Sequence, residues 1–441
     1  MELNNKKVLN AWCSYDWANS VYSLVITSTI FPIYYNVSTR EAFNGDRVEF
    51  FGFSIENTVL FSYSIAFSFL LIASLSPLLS GMADTGGVKK RMLQIFVLIG
   101  SLSCLGLFFF HGANIEYGII LSVLASIGYA GSLVFYNAYL PEIATEDRYD
   151  VLSAKGFSMG YIGSVIHLIV CFAFIEFPDI IGIDKDLAVR LSFLTVGVWW
   201  LGFAQIALYY LPSDSKDKKR RNYKLISRGY EELRKVFSSL KYHKPIKRFL
   251  VSFFFYNMGV QTVMLLAANF GEKELHLSSV KLIVTVLLLQ IVAIAGAYFF
   301  AWLSKKIGNK SAIAIMIFSW VLICIGAFYT YTEMQFYTLA VAVGLVMGGI
   351  QSLSRSTYSK LIPDGTIDTT SYFSFYDVAD KLSVVIGTFS FGLMEYLYGS
   401  MRYSALSLGV FFIIGLIAIF RFKMPLSNKS AVDQKLEITK S

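Results

Sequence analysis

The stretch PSDSKDKKRRNYKLISRGYEELRKVFSSLKYHKPIKR, residues 212–248, decides how this chain is organised. It holds 13 of the 38 lysines and arginines, and charges at that density are too costly to bury in a bilayer. Apolar segments of membrane-spanning length lie on both sides of it, six before and six after. The pattern therefore predicts two six-span halves joined by a basic segment, an arrangement typical of secondary transporters.

The composition places nearly the whole chain in a membrane. Of the 441 residues 55% are hydrophobic and only 15% are charged, whereas soluble domains carry about 25% charged residues. The four cysteines lie in apolar runs without C-x-x-C spacing, which favours neither disulfides nor a zinc site. No signal-peptide cleavage site stands out after Lys6 and Lys7, so the first apolar run is predicted to be a retained span.

A span requires about 20 mostly apolar residues. The sequence predicts an all-α integral membrane protein with twelve such spans. They are 11–35, 58–82, 92–110, 117–140, 153–175, 191–211, 249–270, 282–303, 311–331, 336–356, 372–398 and 405–422. The predicted units are a first bundle (1–211), a linker (212–247), a second bundle (248–424) and a polar tail (425–441).

Lysine and arginine indicate the orientation. The N-terminus, the even-numbered loops and the C-terminus hold 30 of these residues, and the odd-numbered loops hold 7. Omitting the 13 of the linker leaves 17 against 7. By the positive-inside rule both termini are predicted to be cytoplasmic in a plasma (inner) membrane. The net charge of +8 follows from this bias, and no nucleic-acid partner is expected.

The linker carries apolar residues at helical spacing. They are Ile226, Tyr230, Leu233, Phe237 and Leu240. With lysine and arginine between them they predict an amphipathic helix at the membrane surface. Such a helix could bind a regulatory partner, or it could simply keep the halves in register.

The loops after the second and eighth spans are alike. They read SGMADTGGVKKR (80–91) and AWLSKKIGNK (301–310), and aligning Gly87 with Gly308 also matches Lys89 with Lys310. The first loop resembles the cytoplasmic signature Gly-x-Leu-Ala-Asp-Arg-x-Gly-Arg-Lys of the major facilitator superfamily. That resemblance implies a charge latch at Asp84, with Lys89 and Lys90 beside it; Lys305 stands at the aspartate's position in the second loop.

Four further blocks narrow the resemblance. YDWANS (15–20), YNAYLP (136–141), YNMGVQT (256–262) and GGIQSLSR (348–355) resemble the vacuole-effluxer-like branch, which is related to the autophagy-associated vacuolar amino-acid exporter of fungi. The similarity extends from about residue 11 to 422. It implies a twelve-span transporter with spans one and seven lining its cavity, and it assigns Tyr136 and Asn137 to that cavity.

Polar residues form a stripe on span one. Asp16, Ser20, Ser23 and Thr27 fall at i, i+4, i+7 and i+11, with Asn19 beside them, and share one helical face. A carboxylate inside a span is costly unless it faces a partner or water. Asp16 is therefore either a proton or substrate-ammonium site on a cavity wall, or a helix cap paired with a lysine or arginine.

The corresponding amides of span seven are Asn257 and Gln261, at i and i+4. Amides in a span require partners, so these two either bond neighbouring helices or contact substrate. Gln351 at the end of span ten is a further candidate for substrate contact.

Charged residues near the hairpin of spans ten and eleven predict a gate. Asp377 and Lys381 are placed to pair within one helix, which would leave Asp380 for Arg355 or Lys360. A static ion network at the membrane edge is the alternative.

No enzymatic chemistry is expected. GFSMG (156–160) matches G-x-S-x-G, but the nucleophile elbow needs a strand-to-helix turn and these residues enter a predicted span. No Walker-type loop is present. We expect no cofactor and no metal, and the expected partners are a small-molecule substrate, the lipid bilayer and a proton as coupling ion.

The sequence thus predicts a monomeric secondary transporter for a small polar solute, with amino acids first because of the resemblance. A lipid or lysolipid carrier, which would need an apolar cavity wall, is the alternative within transport. A receptor or scaffold with a transporter fold and no turnover is the alternative outside it.

Overall fold

The computed structural model describes residues 2–213, 231, 234–238, 243–363 and 365–424. Within them, twelve long helical segments follow one another in antiparallel order. They are α1 (residues 6–43), α2 (Asn57–Gly86), α3 (Lys89–Gly106), α4 (Ile115–Asn137), α5 (Tyr149–Glu176), α6 (Lys185–Tyr210), α7 (Lys244–Leu275), α8 (Ser279–Ile307), α9 (Asn309–Phe328), α10 (Glu333–Leu361), α11 (Thr369–Tyr398) and α12 (Met401–Arg421). Short helical turns at Leu107–Phe109, Leu140–Ile143, Glu146–Arg148 and Pro178–Ile181 occupy loops.

The predicted fold class is confirmed. Ten of the twelve segments are long and apolar enough to cross a membrane by themselves. The two others are α1, which is interrupted, and α11, which carries Asp377, Asp380 and Lys381. Both polar segments line the space between the halves, as described below, and charges in a membrane are tolerated where they face protein or water.

The first span is not a uniform α-helix. It consists of an α-helix Lys6–Val21, a π-helical stretch Tyr22–Thr29 and a second α-helix Ile30–Phe43. At the end of the π-helical stretch the Thr29 hydroxyl donates to the Leu24 carbonyl at 2.6 Å. Such bonding to the backbone competes with the regular α-helical ladder, and π-helical turns often mark functional positions.

The loop after α1 contains a small β-hairpin that the sequence analysis did not predict. Its antiparallel strands are β1 (Arg47–Phe50) and β2 (Phe53–Glu56). The two turn residues, Phe51 and Gly52, have φ of 45° and 81°. Positive φ at both positions belongs to the type I′ turn, whose twist suits a two-residue hairpin.

Each half has its own hydrophobic core. Large buried residues of the first core include Trp12, Phe31 and Trp200. Those of the second include Trp320 and Phe412, whose rings stack with centroids 5.3 Å apart. The first helix of the second half, α7, begins at Lys244, and Pro245 lies in its first turn, where the missing N–H has no bond to lose.

Most of the linker lies outside the described residues, including Ile226, Tyr230, Leu233 and Leu240 of the predicted amphipathic helix. Phe237 is described: it is exposed and its ring centroid lies 6.1 Å from that of Phe375. The predicted polar tail, 425–441, also lies outside the described residues.

Twelve antiparallel segments define two opposite faces. We call the side that carries Asn5, Gly87, Gly308 and Phe422 the terminal face, and the side that carries Asn44 the distal face. Gly87 and Gly308, aligned in the sequence, both have positive φ (62° and 83°) just after α2 and α8, a conformation that glycine adopts without steric penalty. The halves meet through α2 and α11, and through α5 with α8 and α10.

Candidate functional site

A cavity of about 200 Å³ lies between the two halves. Nine of the ten predicted substrate or coupling residues line it: Asp16, Asn19, Ser20, Ser23, Thr27, Asn137, Asn257, Gln261 and Gln351. The tenth, Tyr136, lies just behind the wall and donates its hydroxyl to Asp16 Oδ2 at 2.8 Å. Arg355, Asp380 and Lys381, predicted to act in gating, also line the cavity.

The α1 stripe reaches the cavity because α5 lets α1 approach closely. A Cβ atom on Gly156 would lie 2.4 Å from Asp16 Oδ2, and one on Gly160 would lie 2.4 Å from the Ser20 hydroxyl oxygen. Contacts below about 3 Å require one of the two groups to move, so a larger residue at either position would displace the Asp16 carboxylate or the Ser20 hydroxyl. The small-residue face of α5 thus sets the position of the α1 carboxylate.

Asp16 is paired across the halves with Arg355. The Arg355 Nη2 atom lies 3.1 Å from Asp16 Oδ2, and the two side chains are only 3% and 7% exposed. Arg355 also donates from Nε to the Ser153 hydroxyl at 2.9 Å and from Nη2 to the Ser153 carbonyl at 3.0 Å. Pairing with a lysine or arginine was one of the two alternatives for Asp16. The structure shows such an ion pair, and the arginine belongs to the opposite half.

Aromatic rings surround the guanidinium of this pair. Its Cζ atom lies 4.2 Å from the ring centroid of Phe157 and 4.6 Å from that of Trp12. A cation over an aromatic face is attracted by the ring quadrupole, most strongly where water is excluded. Arg355 is thus held by charge, hydrogen bonds and stacking, all from the first half.

A second polar centre joins α7 and α11. Asp380 Oδ1 accepts from Asn257 Nδ2 at 2.8 Å and from Gln261 Nε2 at 2.9 Å. Lys381 Nζ lies 2.6 Å from Asp380 Oδ2 and 3.5 Å from Asp377 Oδ1. The amides of span seven therefore bond a carboxylate of the neighbouring helix, and Asn257 and Gln261 still face the cavity.

The predicted pairing of Asp380 with Arg355 or Lys360 is wrong, because the three residues lie at different depths. Arg355 is six residues from the end of α10 and Asp380 eleven residues from the start of α11. At a rise of about 1.5 Å per residue the two differ by about 8 Å in depth. Lys360, one residue from the end of α10, is shallower still and pairs with Asp150 at 2.6 Å.

Asp84 joins the halves at the terminal face. Its carboxylate accepts from the backbone N–H of Ser371 at 2.7 Å and of Thr370 at 3.3 Å, and from the Ser371 hydroxyl at 2.8 Å. These groups form the first turn of α11, where unpaired N–H groups and the helix dipole favour an anion. The carboxylate of the first half thus caps a helix of the second.

The two lysines after Asp84 differ in their contacts. Lys89 forms an ion pair with Glu142 in its own half and donates to the Thr369 hydroxyl of the other half at 2.9 Å. Lys90 donates to the Leu211 carbonyl at 2.9 Å, within the first half. Lys89 therefore contacts both halves.

A second cluster that joins the halves at the terminal face was missed by sequence reasoning. Asp150, at the start of α5, accepts from Asn309 Nδ2 at 2.8 Å and pairs with Lys360. Ser304, just before the exposed Lys305, lies 3.4 Å from the same carboxylate. The carboxylate therefore sits on α5 rather than in the loop after α8. An acidic residue in the first helical turn is common for local reasons, so the sequence offered no signal for this role.

Among the residues that the structure describes, the polar contacts between the halves are found between the cavity and the terminal face. At the cavity, the Tyr161 hydroxyl of α5 donates to Gln351 Oε1 of α10 at 2.6 Å. Nearer the face lie the Arg355, Asp84 and Asp150 contacts. The conformation is therefore one in which the halves are joined at the terminal face.

Twelve helices in two halves around a polar central cavity define a transporter of the major facilitator superfamily. Among solved structures, the chain is similar to a Major Facilitator Superfamily transporter, FucP, in the outward conformation, with a TM-score of 0.68 at 12% identity, covering 95% of this chain and 99% of FucP. It is also similar to a bacterial homologue of the iron transporter ferroportin in an outward-facing state, with a TM-score of 0.65 at 13% identity, covering 95% and 98%.

The chain belongs to the family described as vacuole effluxer Atg22 like, whose profile matches residues 4–432. It is 29% identical over 413 residues to an uncharacterized MFS-type transporter, YxiO, of Bacillus subtilis, covering 93% of each chain. It is 27% identical over 393 residues to Autophagy-related protein 22 of Eremothecium gossypii, covering 81% of this chain and 76% of that protein. The predicted superfamily and branch are thereby confirmed.

Proposed function

We propose that this protein moves a small polar solute, with a free amino acid as the first candidate, across the membrane by alternating access of its two halves. The observation that carries the proposal is the cavity, because both halves contribute ionisable groups to it. The first half supplies Asp16, and the second supplies Arg355, Asp380 and Lys381. A solute bound there would contact both halves at once, as alternating access requires.

The chemistry of the wall favours a zwitterion. An ammonium group can be received by Asp380 or Asp16, and a carboxylate by Arg355 or Lys381. Asn257 and Gln261 add amides that reach the same space. Buried sites that bond polar groups of a ligand discriminate against analogues that lack them, so this wall suits a molecule that carries both charges.

The charged groups of this wall favour a polar solute over a lipid or lysolipid, for which a wholly apolar lining was the expected sign. The seven residues of α1 that line the cavity all carry polar groups, whereas apolar side chains such as Leu133, Val260 and Met264 line other parts of it. One chain supplies both sides of the cavity, so a monomer is sufficient for the proposed cycle. A receptor or scaffold without turnover predicts no flux, which the experiment below tests.

The charge bias of the loops supports a cytoplasmic terminal face in a plasma membrane. In that orientation the conformation described here is closed to the cytoplasm. Asp84, Asp150 and Arg355 would then be the contacts that break when the cavity opens inward.

Uptake of a labelled amino-acid panel into liposomes, with and without an imposed proton gradient, tests the proposal. Gln261→Leu should reduce uptake of the transported amino acid at low concentration at least tenfold, because it removes an amide from the cavity wall. The matched control is Gln205→Leu, since Gln205 is exposed and its amide donates to the Leu201 carbonyl of its own helix. Absence of flux for every member of the panel, or equal losses in both variants, would contradict the proposal.

A further inference from the structure

Three ionisable residues of α11 share one buried site. Lys381 lies between two carboxylates, 2.6 Å from Asp380 and 3.5 Å from Asp377. The other cation of the cavity, Arg355, is bound to Asp16. Ionised, the α11 cluster would therefore hold two negative charges against one positive charge.

The two carboxylates are satisfied to different degrees. Asp380 accepts from Lys381 and from the amides of Asn257 and Gln261. Asp377, 5% exposed, has its Oδ2 atom buried without a hydrogen-bond partner among the described residues. The Ser76 hydroxyl of α2, 2% exposed, faces that carboxylate from the other half, although the two groups do not meet the geometry of a full hydrogen bond.

One proton would remove the unbalanced negative charge of this cluster. A buried charge without a partner is strongly unfavourable, and a buried carboxyl group commonly becomes neutral instead. A proton on Asp377 Oδ2 supplies an O–H that can donate to the Ser76 oxygen. It also leaves Asp380 and Lys381 as a balanced pair. Because the carboxylates share a cation, they exchange protons as one unit, and the proton is assigned to Asp377 because Asp380 already accepts from Lys381 and two amides.

We propose that Asp377 is the binding site of the coupling proton, held between α2 and α11 while the halves are joined at the terminal face. The inference rests on the proposed transport function. Lys381 and Asp380 face the cavity, so a proton can reach Asp377 from that side. Separation of α2 from α11 then exposes Asp377 to water at the terminal face, where the proton leaves.

The neighbouring helices supply no further charge to this site among the described residues. From α2 come Ser76 and Phe69, whose ring centroid lies 5.7 Å from Lys381 Nζ. The polar groups that face the cluster from α4, from α7 and from α11 itself are Tyr129, Tyr256 and Tyr376, together with the amides already described. Arg355 of α10 is engaged by Asp16.

Asp16, for which the sequence suggested the proton-carrying role, is differently placed. Arg355 pairs with its carboxylate, and the Tyr136 hydroxyl donates to the same carboxylate. One carboxylate faces one cation there, so no proton is needed to balance the charge.

Infrared spectroscopy of the purified full-length protein in H₂O and D₂O tests the assignment, since a protonated carboxyl group has a carbonyl band that shifts on deuteration. The measurement requires no substrate, so it stands apart from the transport assay. At neutral pH, Asp377→Asn should remove the band of one carboxyl group per molecule. Asp380→Asn should also remove it, because Asp377 then has Lys381 to itself. Asp16→Asn should retain it.

Full retention of the band in Asp377→Asn or in Asp380→Asn would overturn the proposal. If Asp377→Asn does not fold, Asp380→Asn carries the same test by charge balance alone. Spectra in sodium chloride and in choline chloride form a further arm. A band that is lost only in sodium chloride would mean that a sodium ion competes for the site, and would overturn the assignment to a proton-specific one.

Discussion

Removal of the Arg355 side chain should open the terminal face. Arg355→Met keeps the length of the side chain but removes its charge and its five donor hydrogens. In the closed conformation Asp16 would remain buried at the interface without its cation. In the open conformation the same carboxylate would face water, so the substitution acts on the equilibrium between the two.

The magnitude follows from the burial of the pair. Breaking a buried ion pair by removing one partner costs about 3–5 kcal/mol, because an uncompensated charge remains. Since about 1.4 kcal/mol corresponds to a factor of ten, the ratio of open to closed protein should rise about 100- to 4000-fold. Adding Asp16→Asn removes the leftover charge and should reverse most of that change.

Thiol accessibility measures this equilibrium without a substrate. Ala154 on α5 is completely buried in a cluster with Ala297 and Ala301 of α8, at the interface of the halves. In a background without the four native cysteines, Ala154→Cys should react slowly with a thiol reagent. If opening is fast relative to the reaction, the rate should rise with the open fraction when Arg355→Met is added.

Arg402→Met is the matched control. Arg402 is also largely buried and pairs with Glu274 at 2.9 Å, but both residues belong to the second half. Its removal should leave the rate at Ala154→Cys within about threefold of the starting value. An unchanged rate in folded Arg355→Met, or an equal rise in both variants, would refute the role of the Asp16–Arg355 pair as a lock between the halves.

Three further predictions concern orientation, the latch and packing. Asn44→Cys should react with an impermeant thiol reagent outside intact cells and Ser213→Cys should not; the reverse pattern would contradict a cytoplasmic terminal face. Asp84→Asn should leave expression intact but raise the rate of thiol modification at Ala154→Cys about tenfold, because a neutral cap loses the roughly 0.3–2 kcal/mol of its charge–dipole attraction. An unchanged rate would contradict the role of Asp84 as a latch. Gly348→Ala would place a Cβ atom 2.0 Å from the Ala293 carbonyl oxygen and should lower the stability by about 1–3 kcal/mol, measured as a lower Tm. Gly392 has open space around it, so Gly392→Ala should leave the Tm unchanged. Equal effects of the two substitutions would contradict the packing argument.

The spans could be predicted because membrane insertion depends on local properties of the chain. About 20 apolar residues suffice to identify a segment, and loop charge orders the segments across the bilayer. The polar stripe on α1 could be predicted for the same reason: residues at i, i+4 and i+7 share a helical face whatever that face contacts. Nine of the ten candidate residues consequently line one cavity.

The local sequence pattern did not predict the backbone conformation within α1. The apolar composition predicts one continuous span, whereas Tyr22–Thr29 is π-helical. Hydroxyl groups can bond their own backbone in more than one way, and packing against neighbouring helices selects among those conformations.

The partner of each charge was decided by tertiary structure alone. Arg355 meets Asp16 across 339 positions of sequence, and Asp380 meets Asn257 and Gln261 rather than the arginine of the adjacent hairpin arm. Helical periodicity specifies a face but not which helix packs against it. Whether two charges meet also depends on their depths along antiparallel helices, which change by about 1.5 Å with each residue. The packing of α1 on α5 and of α2 on α11 sets both, and so it determines which carboxylate has a cation and which is left to share one.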